Sequence, residues 1–196
     1  MFMMVTTMLD DMPEVKSSPA KSGGPFGPLD RWLVRGQAPG AAPVTVEPLR
    51  ALLNTDDRFH GVDALEAEAP RAFVLLRDAL RTLLVEGDAG PLAVIADAHP
   101  LRLVVEQGRV RLAPTAAAAP IDAAVARMLV LLAEAQGSGE WSRLKACGNP
   151  DCQWIFYDTS RNRSGRWCSM QECGGVMKAR AYRRRQRTPE GGEAPR

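Results

Sequence analysis

The chain has 196 residues, enough for one domain or two small ones, and its 45% hydrophobic content supplies a sizeable core and excludes wholesale disorder. The formal net charge is only +2, but its distribution is uneven: residues 143–187 hold eleven basic and three acidic side chains, net +8, and the remainder is net −6. That asymmetry predicts a basic working end on a mildly acidic body.

Residues 1–43 are rich in Met, Ser, Gly, Pro and Ala, which predicts a poorly ordered tail. Within it, residues 29–34 could dock locally, with Trp32 as the one large anchor. Residues 46–54 read as a short helix with Leu49, Leu52 and Leu53 on one face, and residues 62–68 as another turn or two. Residues 70–86 form the strongest early helix. Pro70 suits a first helical position and Gly87 an end. Phe73, Leu76, Leu80, Leu83 and Leu84 follow helical spacing, while Arg77, Asp78 and Arg81 mark the wet side. Residues 92–98 are a further short helix, stopped by Pro100.

The period then changes. Leu101, Leu103 and Val105 alternate with their neighbours, and after Glu106-Gln107-Gly108 comes Arg109-Val110-Arg111-Leu112, a β-hairpin with a glycine turn. An Ala-rich connector leads to a helix at 121–136, ended by Gly137-Ser138-Gly139. The expected fold is mainly α with a small β-hairpin: a tail (1–43), a helical body (44–140), a finger (141–187) and a second tail (188–196).

The body carries little chemistry. His60 and His99 each stand alone, Asp10-Asp11 and Asp56-Asp57 read as solvated loop charges, and there is no phosphate loop, nucleophile elbow or His-Glu-x-x-His pattern. No enzymatic role is expected. No apolar run reaches the ~18 residues of a membrane span, and the start has no basic region of the secretory kind. A soluble, cytoplasmic protein is expected. Of the 25 basic residues 21 are Arg, which with abundant Ala, Gly and Pro points to a GC-rich bacterial genome.

All four cysteines cluster near the C-terminus as Cys147-Gly-Asn-Pro-Asp-Cys152, fifteen residues, then Cys168-Ser-Met-Gln-Glu-Cys173. Two matched C-x4-C pairs across a short loop suit one tetrahedral Zn²⁺, the ligands being Cys147, Cys152, Cys168 and Cys173. The competing readings are two disulfides, a redox thiol switch, or buried unligated cysteines. Four thiolates fill the coordination sphere, so the metal is expected to be structural. An apolar strand, a polar turn and a return to Trp167 lie between the pairs, and a helix begins near Ser169. This knuckle, hairpin and helix resemble a treble-clef module.

Basic residues crowd the finger. Arg161, Arg163 and Arg166 lie in or near its turn; Lys178, Arg180, Arg183, Arg184, Arg185 and Arg187 lie on its last helix. One reading is a solvated terminus matched to the helix dipole. The other is a phosphate-binding surface, since Arg matches phosphate oxygens and base edges. Trp154, Phe156, Tyr157, Trp167 and Tyr182 could stack on bases, although most suit the finger's own small core.

The stretch Cys147-Gly-Asn-Pro-Asp-Cys152, Trp154-Ile-Phe-Tyr-Asp158, Ser160-Arg-Asn162, Arg166-Trp-Cys-Ser-Met170 and Lys178-Ala-Arg180 resembles the CGNR zinc finger. In that family the finger follows a helical ABATE domain. Leu53-Asn54-Thr55 with Gly61, Asp63 and Leu65 is similar to that domain's opening, and the course of residues 70–136 fits its remainder. One departure stands at the last ligand: Cys173-Gly174 is followed by Gly175-Val176 where the family has Asn-Arg. The resemblance implies a stress-associated bacterial transcription regulator that binds DNA through the finger. The alternative is a zinc-finger adaptor for protein or RNA without sequence-specific DNA binding.

Overall fold

The computed structural model describes residues 24–33, 42–65, 69–115 and 119–187. Expectations for residues 1–23, 34–41, 66–68, 116–118 and 188–196, the C-terminal tail and most of the N-terminal one, lie outside the described residues. About half of the described residues are helical, and the strands form three antiparallel pairs.

A helical turn, Gly27–Leu29, runs into α1 (Asp30–Leu33), followed by α2 (Glu47–Leu53), α3 (Arg71–Glu86), α4 (Gly90–Ala98) and α5 (Pro120–Gly137). Pro70 precedes the first turn of α3, and Gly87 closes it with φ 75° and an N–H bond to the Leu83 carbonyl. That left-handed position favours glycine. Phe73, Leu76 and Leu80 are fully buried on one stripe of α3 and pack with Leu49, Leu52 and Leu53 of α2 and Val125, Met128 and Leu129 of α5.

Three differences from the sequence reading are informative. Residues 24–33, placed in the poorly ordered tail, are part of the core: Phe26, Leu29, Trp32 and Leu33 are all buried. Their apolar residues are few but large, so Gly/Pro-rich composition hid them. Residues 62–63 form no helix; β2 (Val62–Asp63) pairs with β1 (Asp56–Asp57). Arg77 and Arg81, assigned to the wet side of α3, are buried. Arg77 is held by Asp63 at 2.5 Å and Asp78 at 3.0 Å. Arg81 bonds the carbonyls of Leu53, at 3.2 Å, and Gln153, at 3.3 Å. Burial first, then the neighbouring Arg58, lowers the Arg81 pKa from its ordinary value. Charge alone did not reveal that acceptors awaited these guanidinium groups on the inner side.

The hairpin of β3 (Leu101–Glu106) and β4 (Arg109–Pro114) has the expected position, with Gln107 and Gly108 both at positive φ in its two-residue turn. β5 (Leu144–Ala146) and β6 (Ile155–Tyr157) pair across the first cysteine pair. Leu144 and Ile155 belong to the same apolar core as α2, α3 and α5. Among the described residues no helix is long and apolar enough to cross a membrane.

Candidate metal centre

β5 delivers Cys147 and β6 begins just after Cys152, so the first two cysteines sit at the tip of a strand pair whose base is anchored in the body. Cys147 N–H donates to the Trp154 carbonyl at 2.9 Å. The Asn149 carbonyl accepts from Cys152 N–H at 2.9 Å and Gln153 N–H at 3.1 Å, which curls the knuckle. Gly148 N–H donates to the Arg166 carbonyl at 2.8 Å, tying the knuckle to the segment that carries the second pair. A Cβ at Gly148 would lie 3.0 Å from the Trp167 ring and 3.2 Å from that carbonyl, so this approach favours glycine.

The strand Ile155–Tyr157 pairs with β5, ahead of the first cysteine, rather than with the residues returning to Trp167. Residues 158–168 are instead a loop organised by Asp158, a buried carboxylate. It accepts from Lys145 Nζ at 2.6 Å, Gly165 N–H at 2.8 Å and Ser160 N–H at 3.0 Å. Burial would raise its pKa, but Lys145 and the Ser160 and Gly165 bonds outweigh that and hold it far below the usual carboxylate range.

The loop ends at Cys168. Ser169 caps the next turn, its Oγ accepting from Glu172 N–H at 3.2 Å. A wide turn, Met170–Gly174, delivers Cys173 and passes into α6 (Gly175–Arg187).

All four Sγ atoms lie within 4.8 Å of one another, and Cys168 Sγ is 3.7 Å from both Cys152 Sγ and Cys173 Sγ. A tetrahedron with Zn–S bonds of ~2.3 Å has edges of about 3.8 Å. The spacing and all-sulfur donor set therefore fit one Zn²⁺, and Cys147, Cys152, Cys168 and Cys173 are positioned to hold a single metal ion. Cys147, Cys152 and Cys173 are buried, Cys168 is half-buried, and Trp154 and Trp167 pack against the group. Asn149 Nδ2 reaches Cys173 Sγ at 3.6 Å, an outer-sphere donor of the kind that orients a ligand. Without a metal, burial raises the Cys152 and Cys168 thiols, and neighbouring sulfurs raise Cys168 further. Burial also acts upward on Cys147, but hydrogen bonds from the Cys168 and Asn149 backbone bring that thiol below its ordinary value.

The nine basic candidates divide. In the loop, Arg163 donates to Ser142 Oγ at 3.0 Å while its carbonyl accepts from Lys145. Arg166 lies over the Trp167 ring at 5.1 Å, and Arg161 is exposed. On α6, Lys178, Arg180, Arg183, Arg184 and Arg185 are exposed. Arg180 pairs with Asp151 at 2.7 Å. The Arg187 backbone closes α6, and its side chain lies outside the described residues. Val176, where the resemblance expects a functional side chain, is 44% exposed in the first turn of α6. Of the aromatic candidates, Tyr182 is exposed, while Tyr157 packs on the body core and its hydroxyl donates to Glu140.

Asn54, Asp158 and the Asn149 side chain escaped the sequence reading as site residues. The Asp-x-Ser spacing of 158–160 signals a local turn, but nothing near Asn54 announces the Ile155 backbone, 101 residues away, that its side chain binds.

Residues 143–186 match the family model of the CGNR zinc finger, a segment containing all four cysteines and nearly all of α6. A search of curated proteins gave no significant match.

Proposed function

We propose that the chain is a DNA-binding transcriptional regulator of a bacterial stress-response type, acting in the cytoplasm without catalytic activity. In this reading a bound Zn²⁺ is structural: it joins the knuckle to the start of α6, and four thiolates leave it no open position. Residues 141–187 act as a treble-clef-like finger, and residues 44–140 as an ABATE-like body.

The observation that carries the reading is α6 itself. It begins two residues after the last metal ligand and exposes five cations, Lys178, Arg180, Arg183, Arg184 and Arg185, with Arg180 paired to Asp151. Arg161 and Arg166 add exposed charge beside the same centre. Such cations bind phosphates and release counterions. With about four to six phosphates neutralised, log affinity for duplex DNA falls with log salt at a slope of roughly −4 to −5. Replacing Arg183, Arg184 and Arg185 with Ala flattens that slope by about 3 and weakens all sequences alike. A salt-insensitive interaction, or wild-type affinity in the triple variant, overturns this reading.

The exposed Val176 favours a second reading, an adaptor for RNA or protein. Val176 and Gly175 offer no hydrogen-bonding side chain at the start of α6, so little base discrimination is available there. Preference for RNA over duplex DNA at matched salt would select that reading.

A further inference from the structure

The β3–β4 hairpin has two unlike edges and one face without polar side chains. Leu101, Leu103, Val105, Val110, Leu112 and Pro114 all share that face, and Leu103, Val105 and Val110 are each about two-thirds exposed. The opposite face holds Arg102, Glu106, Arg109 and Arg111, with Val104 and Ala113 between them. A contiguous exposed apolar face of this kind marks an interaction surface.

The turn fixes which backbone groups are available. Glu106 and Arg109 close a two-residue loop, so Glu106, Val104 and Arg102 direct their N–H and C=O groups at β4. Leu101, Leu103 and Val105 direct theirs outward. β3 belongs to a two-stranded sheet, so this outer edge has no strand beside it among the described residues. It also lacks the lysine, proline or bulge with which proteins blunt an edge. β4 is different: it ends on Pro114 and packs along α5.

We propose that the β3 edge pairs antiparallel with the β3 edge of a second copy, around a two-fold axis through Val104. In this register Leu103 forms the hydrogen-bonded pair with the partner's Val105, and Val105 with the partner's Leu103, which uses the outward-facing groups. The adjacent non-hydrogen-bonded pairs set Arg102 opposite the partner's Glu106, and Glu106 opposite the partner's Arg102. Apolar side chains meet on one face of the seam and opposite charges on the other, both favourable cross-strand pairings. Glu106 already binds Arg111 at 2.6 Å within its own hairpin, so each interchain pair extends an existing charge row. The equivalent pairing of β4 with itself, with Val110 opposite Leu112, would put Arg111 against the partner's Arg111. Charge complementarity therefore selects β3. An isologous contact of this kind closes at two copies, and its small area makes the dimer dissociate on dilution.

The test is light scattering on the zinc-loaded full chain, without nucleic acid, over a concentration series. The wild type approaches twice its 21.3 kDa mass at high concentration. Arg102→Glu and Glu106→Arg, each placing like charges across both pairs, remain monomeric with unchanged circular dichroism. An equimolar mixture of the two restores the dimer, because each chain supplies the charge the other needs. A monomeric wild type, single variants that dimerise like wild type, or a mixture that stays monomeric overturns the proposal.

Discussion

Two regions of this molecule hold their chains in place by different physics. The body buries Trp32, Phe73, Met128 and a set of leucines against one another, and its order comes from removing apolar surface from water. The metal centre buries three cysteines beside two half-buried tryptophans, too little apolar surface to order a segment of this length. The strand pair β5–β6 belongs to both: Leu144 and Ile155 lie in the body core, while Cys147 and Cys152 stand just beyond the Ala146–Ile155 pair. The comparison teaches that the metal centre is mounted on a hydrophobic base, so the boundary between metal-dependent and metal-independent order falls inside this strand pair.

The sharpest way to test that boundary is to withdraw the metal. Chelation, or Cys173→Ser, removes an interaction worth ~10–16 kcal/mol in comparable zinc-finger peptides. Hydrogen exchange should show α6 and residues 147–154 losing protection while Phe73 to Leu80 and Ile155 keep theirs. Global unfolding would mean that the two regions form one cooperative unit.

The reciprocal experiment weakens the body. Trp32→Ala should cost about 3–5 kcal/mol by leaving a cavity, lowering the melting temperature with zinc content unchanged at one ion per chain by elemental analysis. A null effect would return residues 24–33 to the status of a tail.

A comparable effect is expected at the joint. Asn54 Nδ2 donates to the Ile155 carbonyl and Asn54 Oδ1 accepts from the Ile155 N–H, both at 2.8 Å and both buried. Asn54→Ala strands two backbone groups, at about 1–3 kcal/mol each. Denaturant unfolding followed by tryptophan fluorescence should register the loss. The smallest stability effect belongs to Arg183, Arg184 and Arg185, whose replacement by Ala should stay within about 0.5 kcal/mol because these side chains are exposed. A large loss there would tie α6 to the fold rather than to a ligand.

Much of this was legible in advance where a local rule decides. The 3.6-residue spacing of Phe73, Leu76 and Leu80, the left-handed Gly87 and the Gln107-Gly108 turn each act within a few residues, and the elements appeared where those signals put them. The paired cysteine spacing drew four sulfurs to one point for the same reason. What escaped depends on partners distant in the chain. Lys145 and Arg143 enter the sequence analysis only through the net charge of residues 143–187, yet Lys145 binds Asp158 and Arg143 bonds the Asp158 and Ser160 carbonyls. Charge reads alike in a sequence whether it faces water or a buried acceptor. The pairing of Ile155–Tyr157 with Leu144–Ala146 was missed because the loop after Asp158 offered a plausible return strand nearer in sequence.

The Asn54 clamp also constrains the order in which the chain can be finished during synthesis. A ribosome adding ~5–20 residues per second takes roughly 5–20 seconds to travel from Asn54 to Ile155. Throughout that interval the side chain that will face the strand has no backbone to bind, and the pocket awaiting Leu144 and Ile155 stands open. A contact of such long sequence separation is entropically costly to close. The nascent body is therefore a waiting state with a polar, unfilled seat, and the arrival of the cysteine-bearing strand completes it.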